Sequence, residues 1–192
     1  MLTHQGTQTI ETDRLILRSF TMADAPAMFR NWASDDQVTK HLTWPTHTGV
    51  AVSEMVLSDW TGHYGEPDFY NWAIVLKENG PEPIGNISVV RINPKVDSAV
   101  MGYCMSRSQW GKGIMAEALT TLIDFLFDRV GFNRIEADHD PNNPASGRVM
   151  EKSGMRHEGT MRQAGRSNQG IIDVSRWAIL RQDWEVHREQ AT

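Results

Sequence analysis

The chain has 192 residues, with 19 Lys and Arg against 24 Asp and Glu, a formal net charge of −5. That length supports a core but not two large domains, so residues 1–192 are expected to form one domain, with its core architecture confined to about 10–185. One cysteine excludes a disulfide framework and any multi-cysteine metal site, and the acidic balance argues against a general nucleic-acid binder, which needs a positive surface.

The first eleven residues are polar, with neither a basic start nor an apolar stretch, so no signal peptide is expected. No run of about 18 apolar residues follows anywhere, so no membrane span is expected and the cytoplasm is the default compartment. Arg14–Arg18 reads as a short strand. Ala23–Ser34 reads as a helix with Ala25, Met28, Phe29 and Trp32 at helical spacing, and Val50–His63 as a second with Val52, Met55, Val56 and Trp60 on one face. Between them His41-Leu42-Thr43-Trp44-Pro45 forms a loop. Strands are predicted at Tyr70–Leu76, Ile84–Val90 and Ala99–Met105, separated by Asn79-Gly80-Pro81 and Asn93-Pro94-Lys95.

Gln109-Trp110-Gly111-Lys112-Gly113 then opens a strong helix, Ile114–Val130, with Leu119, Leu122, Ile123, Leu126 and Phe127 on its apolar face and Gly131 as its stop. Asn133–His139 reads as a strand. Asn143 is placed to cap a short helix that begins at Pro144 and ends before Gly154, and Met155–Gln163 and Ile171–Leu180 form a closing hairpin that turns at Ser167–Gly170. The fold expected is α/β (α+β): one mixed, mostly antiparallel sheet of six to seven strands, flanked by about four helices.

The strand–glycine loop–helix unit carries the most chemistry. Gly111 and Gly113 let backbone approach a bulky anion, and the following helix offers free N–H groups and the positive end of its dipole. Arg107 and Lys112 are the only charged residues from Ser106 to Ala116, a local +2 suited to phosphate. The same spacing, with Ala116, meets a loose dinucleotide-binding pattern, which makes a nicotinamide-dependent oxidoreductase an alternative. Such folds begin with their glycine loop, whereas here about a hundred residues of meander precede it.

Taken with Asn143-Pro144-Ala145-Ser146, Glu151–Met155, Thr12–Arg18, Leu42–Pro45, Gly102-Tyr103 and the ending Asp173–Leu180, the loop resembles the Gcn5-related N-acetyltransferase superfamily, and within it the ribosomal-protein (Rim-type) branch. The resemblance implies acetyl transfer from acetyl-CoA to an amine by direct attack in a ternary complex. It implies CoA-holding roles for Gln109, Trp110, Gly111, Lys112, Gly113, Ile114 and Met115, an acetyl group beside the backbone of Met105, a CoA-arm contact from Asn143, and a polar group near the sulfur from Ser146. Met115 and Trp110 depart from the common superfamily pattern.

Transfer needs a free amine, a polarised carbonyl and a proton for the departing thiolate. Ser146 is the candidate for the last. For the base, Gly165 stands where some relatives carry a glutamate; His139, Asp138, Glu158 and Asp173 are candidates, and His139 has the most suitable ordinary pKa. Cys104 reads as a small apolar strand residue. The seven histidines show no metal-ligand spacing, so no metal is expected. Trp32, Trp60, Trp72 and Trp177 fit core faces, and Trp44 is a candidate to line the acceptor pocket or to anchor its loop. From His41 to Leu76 there are four acids, Glu54, Asp59, Glu66 and Asp68, and no Lys or Arg, which would favour a cationic acceptor or simply a solvated face. The expected acceptor is a peptide α-amine, a polyamine or a small basic amine. A non-catalytic acyl-CoA-binding domain is the alternative from another class, and monomer and homodimer are both compatible with the chain.

Overall fold

A computed structural model describes residues 2–190. Eight strands form one sheet: β1 (Ile10–Glu11), β2 (Leu15–Arg18), β3 (Asn71–Leu76), β4 (Pro83–Asn93), β5 (Ser98–Met105), β6 (Arg134–His139), β7 (Arg156–Ser167) and β8 (Gly170–Leu180). Their order is β1-β2-β3-β4-β5-β6-β8-β7, antiparallel throughout except for the β5–β6 pair. The sheet therefore gains one strand over the expected six to seven. That strand is β1, two residues long and too short to carry an alternating pattern.

The sequence of β3, Asn-Trp-Ala-Ile-Val-Leu, is buried at every position, as a strand covered on both faces must be. Trp72, Ile74 and Leu76 enter a large core with α4 (Ile114–Phe125), and Ala73 enters a smaller one with Phe20, Met28, Trp32 and Leu57. The smaller core is roofed by α1 (Ala25–Met28), its wider continuation Phe29–Ala33, and α3 (Val50–His63). On the opposite face α4 buries the predicted stripe of Leu119, Leu122 and Ile123, and a wider turn, Leu126–Val130, buries Leu126 and Phe127 before Gly131 stops it at φ 97°.

Short α2 (Asp36–Thr39) and terminal α6 (Arg181–Gln190) lie outside the expected helices, while α5 (Pro144–Lys152) starts at the expected proline. Trp184 anchors α6, packing on Phe127 and donating its indole N–H to Asp124 at 2.6 Å, and Arg181 at its start donates to the carbonyls of Phe127 and Phe132.

One irregularity of the sheet makes the site. β5 and β6 pair only from Ser98–Arg134 to Met101–Ala137. Beyond that, β5 continues to Met105 along β4, and β6 continues to His139 along β8. The two strands part, and a cleft of about 390 Å³ opens between them.

Candidate active site

The glycine loop forms one wall of the cleft. Gly111 and Gly113 adopt φ 76° and 75°, left-handed conformations that strain any residue with a Cβ. Gly113 occupies the N-cap of α4 without a side-chain cap, and the first intrahelical bond runs from Glu117 N–H to the Gly113 carbonyl. The N–H groups of Ile114, Met115 and Ala116 thus have no acceptor within the helix and are available to an anion. The loop is braced from behind. Arg14 donates to Glu117 at 2.6 Å and to the Lys112 carbonyl at 3.0 Å, and Thr12 donates to Glu117 at 2.5 Å. Burial would raise the Glu117 carboxyl, but these donors outweigh it and hold it below its ordinary value. The Thr12–Arg14 segment, which in the sequence carried only a resemblance, is this brace.

The free edge of β5 forms the floor. Ser106 N–H bonds to the Ile84 carbonyl, so the Gly85–Met105 pair it flanks exchanges no hydrogen bonds of its own. The N–H and C=O of Met105 consequently turn away from β4, toward the splay. The carbonyl accepts the Trp110 indole N–H at 2.9 Å, which ties the loop to the strand. The N–H is directed at the space β6 has left.

Across the cleft stands the start of α5. Asn143 occupies its N-cap, but its side chain makes no capping bond and lines the cleft instead. Ser146, in the first turn, shares a hydrogen bond of 2.9 Å with the Tyr103 hydroxyl, whose single proton has the Ser146 carbonyl at 3.2 Å as its other acceptor. Burial pushes the Tyr103 phenol well above its ordinary value, so it stays protonated. Cys104 lines the cleft too, with its thiol pushed up by burial to about 12, which leaves it no thiolate for covalent relay.

The end of β6 supplies the remaining wall. His139 donates Nδ1–H to the Asp140 carbonyl at 2.8 Å, and its Nε2 edge faces Gly147 of α5, where an added Cβ would lie 2.9 Å away. Asp140 is buried. Its Oδ1 accepts from Asn142 N–H at 2.9 Å and Nδ2–H at 3.0 Å, and its Oδ2 accepts His41 Nδ1–H at 2.9 Å. Burial alone would raise this carboxyl; the Asn142 and His41 donors reverse that and hold it low.

The cleft gathers Met105, Trp110, Gly111, Gly113, Ile114, Met115, Asn143, Ser146 and His139 from the expected set. Gln109 is buried beneath the loop, where it accepts Lys112 Nζ at 3.0 Å, and Lys112 points there rather than into the cleft. Arg107 is paired with Asp35 at 2.9 Å. The positive charge read locally in the loop is therefore spent elsewhere, and the basic groups lining the cleft are Lys40, Arg148 and Lys152 from distant segments. Trp44 is half-buried on the smaller core against His47 and does not line the cleft.

The four acids of the early stretch also stand apart from it. Glu54 and Asp59 lie on the exposed face of α3, and Glu66 pairs with His63 beyond its end. Among the base candidates, Asp138 is bound by Arg176 at 2.8 and 2.9 Å, Glu158 by Arg134, and Asp173 accepts the Gln163 N–H at 2.8 Å. At Gly165 an added Cβ would lie 2.5 Å from Val174 Cγ2, so the hairpin has no room for a glutamate there. Tyr103, His41 and Asp140 went unnoticed as site residues because only the fold brings them together; Gly102-Tyr103 within the resemblance was the one signal for any of them. Among the described residues no three His, Cys, Asp or Glu side chains gather as a metal ion would require, and no helix is long and apolar enough to cross a membrane.

Comparison with known proteins places the chain in a family. The family model described as the acetyltransferase (GNAT) domain matches residues 14–156. The uncharacterized N-acetyltransferase p20 of Bacillus licheniformis is 30% identical over 177 residues, 92% of this chain and 98% of its own. The ribosomal-protein-serine acetyltransferase of Escherichia coli is 33% identical over 107 residues, 56% of this chain and 59% of its own. A solved acetyltransferase structure from T. thermophilus superposes with a TM-score of 0.79 at 26% identity, covering 95% of this chain and 94% of that one. With a braced glycine loop at a helix start, a splayed strand pair and these matches, the chain belongs to the GNAT family of N-acetyltransferases.

Proposed function

We propose that the protein transfers the acetyl group of acetyl-CoA directly to a primary amine, such as a peptide N-terminal amine or a polyamine. The observation that carries this reading is the free edge of β5 beside the glycine loop. Loop and helix N–H groups suit a pyrophosphate, the splay suits an extended amide-bearing arm, and the basic rim of Lys40, Arg148 and Lys152 suits further phosphate. Acetyl-CoA supplies an activated thioester. The Met105 N–H is oriented to polarise a carbonyl placed at the end of the arm, the contribution expected of a preorganised donor.

Ser146 serves the departing sulfur. When Tyr103 donates to Ser146 Oγ, the serine hydroxyl is free to donate in turn. A hydroxyl is a poor acid, so the pair acts chiefly by orienting a donor at the thiolate. Cys104, its thiol pushed up by burial, is a poor relay nucleophile, which favours direct attack.

The test is thiol release from acetyl-CoA with N-terminal serine and alanine peptides, spermidine and an aminoglycoside. The expected result is amine-dependent release, reduced on the order of 10²-fold in Ser146→Ala. Thermal stabilisation by acetyl-CoA without release for any amine would favour a binding domain, and stabilisation by NAD alone would overturn the reading.

A further inference from the structure

Deprotonation of the incoming ammonium still lacks a residue. Asp138 is held by Arg176. His139 has one ring nitrogen bound to a carbonyl and the other against the backbone of α5. Position 165 offers no side chain and no space for one.

His41 meets the need on geometry alone. It sits on the loop after α2 and lines the same cleft as Met105 and Ser146. Its Nδ1 lies 2.9 Å from a buried carboxylate, Asp140, whose other oxygen is fixed by two donors from Asn142. A carboxylate only accepts, so Nδ1 carries the ring hydrogen and Nε2 of the neutral ring carries the lone pair. The loop is also pinned. At the tip of the β7–β8 hairpin, Asn168 N–H donates to the Leu42 carbonyl at 2.8 Å, and its side-chain amide donates to the carbonyls of Thr39 and Trp44 at 2.8 and 2.9 Å. Three bonds thus hold the backbone on both sides of His41 against the end of the sheet.

We propose that His41 is the catalytic base that removes the proton from the acceptor amine, with Asp140 as its positioning residue. This rests on the N-acetyltransfer reading above. An ammonium N–H bond breaks as an Nε2–H bond forms, and the electron pair stays on the amine nitrogen. That pair forms the C–N bond at the thioester carbonyl, the C–S bond breaks with its pair on sulfur, and the second nitrogen proton passes to sulfur on the Ser146 side. The imidazolium, balanced by Asp140, returns its proton to solvent. The charged and titratable side chains sharing the cleft with His41 are Lys40 on its own loop, Asp138, His139 and Asp140 at the end of β6, and Arg148 and Lys152 on α5, with the protonated Tyr103 and Cys104 on β5.

The experiment compares His41→Ala, His41→Gln and Asp140→Asn with the unaltered protein, using acetyl-CoA and the best amine of the panel. Loss of the base should lower kcat/KM for the amine on the order of 10²-fold at pH 7, leave KM for acetyl-CoA unchanged, and remove one ionisation from the acid limb of the pH profile. Added imidazole should restore part of the rate to His41→Ala but not to Ser146→Ala. Long-range proton–nitrogen NMR should find the neutral His41 ring protonated on Nδ1, and Asp140→Asn should disturb that tautomer. Full activity in both His41 variants, or a ring protonated on Nε2 in the unaltered protein, overturns the proposal. An unaltered protein that releases thiol with no amine overturns the transfer reading instead, whatever the tautomer.

Discussion

Substituting Gly147 tests how tightly the end of β6 is packed on α5. Glycine inside a helix costs about 1 kcal/mol relative to alanine, so Gly147→Ala should stabilise the protein if only the helix mattered. The local packing opposes this. A Cβ at 147 would lie 2.9 Å from His139 Nε2 and 3.3 Å from Cε1, where ordinary contact begins near 3.4 Å, and 3.6 Å from the Trp177 ring. The imidazole cannot simply swing aside, because Nδ1 is bonded to the Asp140 carbonyl at 2.8 Å and the ring rests near Trp177, centroids 6.4 Å apart. Overpacking of this kind costs about 2 kcal/mol, which leaves Gly147→Ala about 1 kcal/mol less stable than the unaltered protein. For a chain of this size that lowers Tm by about 3 °C. In a His139→Ala background the obstacle is gone, and the same substitution should raise Tm by about 3 °C. A calorimetric double-mutant cycle should therefore find a coupling of about 2 kcal/mol. Equal gains from Gly147→Ala in both backgrounds would refute the packing argument, and with it the reason for setting His139 aside as the base.

Two further outcomes follow from contacts outside the cleft. Arg14→Ala loosens the glycine loop by removing its bonds to Glu117 and the Lys112 carbonyl; steady-state kinetics should give an acetyl-CoA KM about 5-fold higher, the equivalent of about 1 kcal/mol, with kcat retained. Asp24→Asn breaks a buried bidentate pair with Arg18 and the Thr21 cap, at a cost of about 2 kcal/mol in urea unfolding at pH 7. Burial would raise the Asp24 carboxyl, but the Arg18 and Thr21 bonds hold it below its ordinary value of 3.8. Its contribution is thus complete above that pH and lost as pH falls below it, so the gap between Asp24→Asn and the unaltered protein should close in acid.

Local patterns made most of the fold legible. The segment read as a helix after Val50 has the bounds of α3, although Met55, placed on its apolar face, is 73% exposed and Ser53 and Leu57 are the buried positions; Asn143-Pro144 and Gly154 bracket α5, and Ser167–Gly170 turns the hairpin where expected. What was missed is short or is held by contacts far along the chain: β1 has two residues, and α6 is anchored by Trp184 on Asp124 and by Arg181 on the carbonyls of Phe127 and Phe132. The glycine loop was equally readable, because left-handed backbone demands a residue type. Charge was not. Arg107 and Lys112 looked free because their partners, Asp35 and Gln109, satisfy them only in the fold. Asp138 looked available until β8 brought Arg176 beside it. The His41–Asp140 pair spans 99 positions, and no spacing rule reaches that far.

The parting of β5 and β6 accounts for both the cost and the use of the site. Had β6 stayed alongside, the outward N–H groups of the last residues of β5 would have had ladder partners. A buried N–H left without one costs about 1–3 kcal/mol, and the first turn of α4 adds its own uncommitted donors at the same end of the sheet. A chain could avoid this by extending the β5–β6 register a few residues past Met101 and Ala137. It would then close the cleft that Ser146, Asn143 and His41 line. The fold instead keeps β6 on β8 as far as His139, where Asp138 meets Arg176, and just beyond it Asp140 meets His41 of the loop after α2, so each contact on that side also orients a group facing the cleft. The unpaired donors on the other side are then offset by an extended ligand that carries its own acceptors. For that reason acetyl-CoA should stabilise this protein by more than loop contacts alone would give.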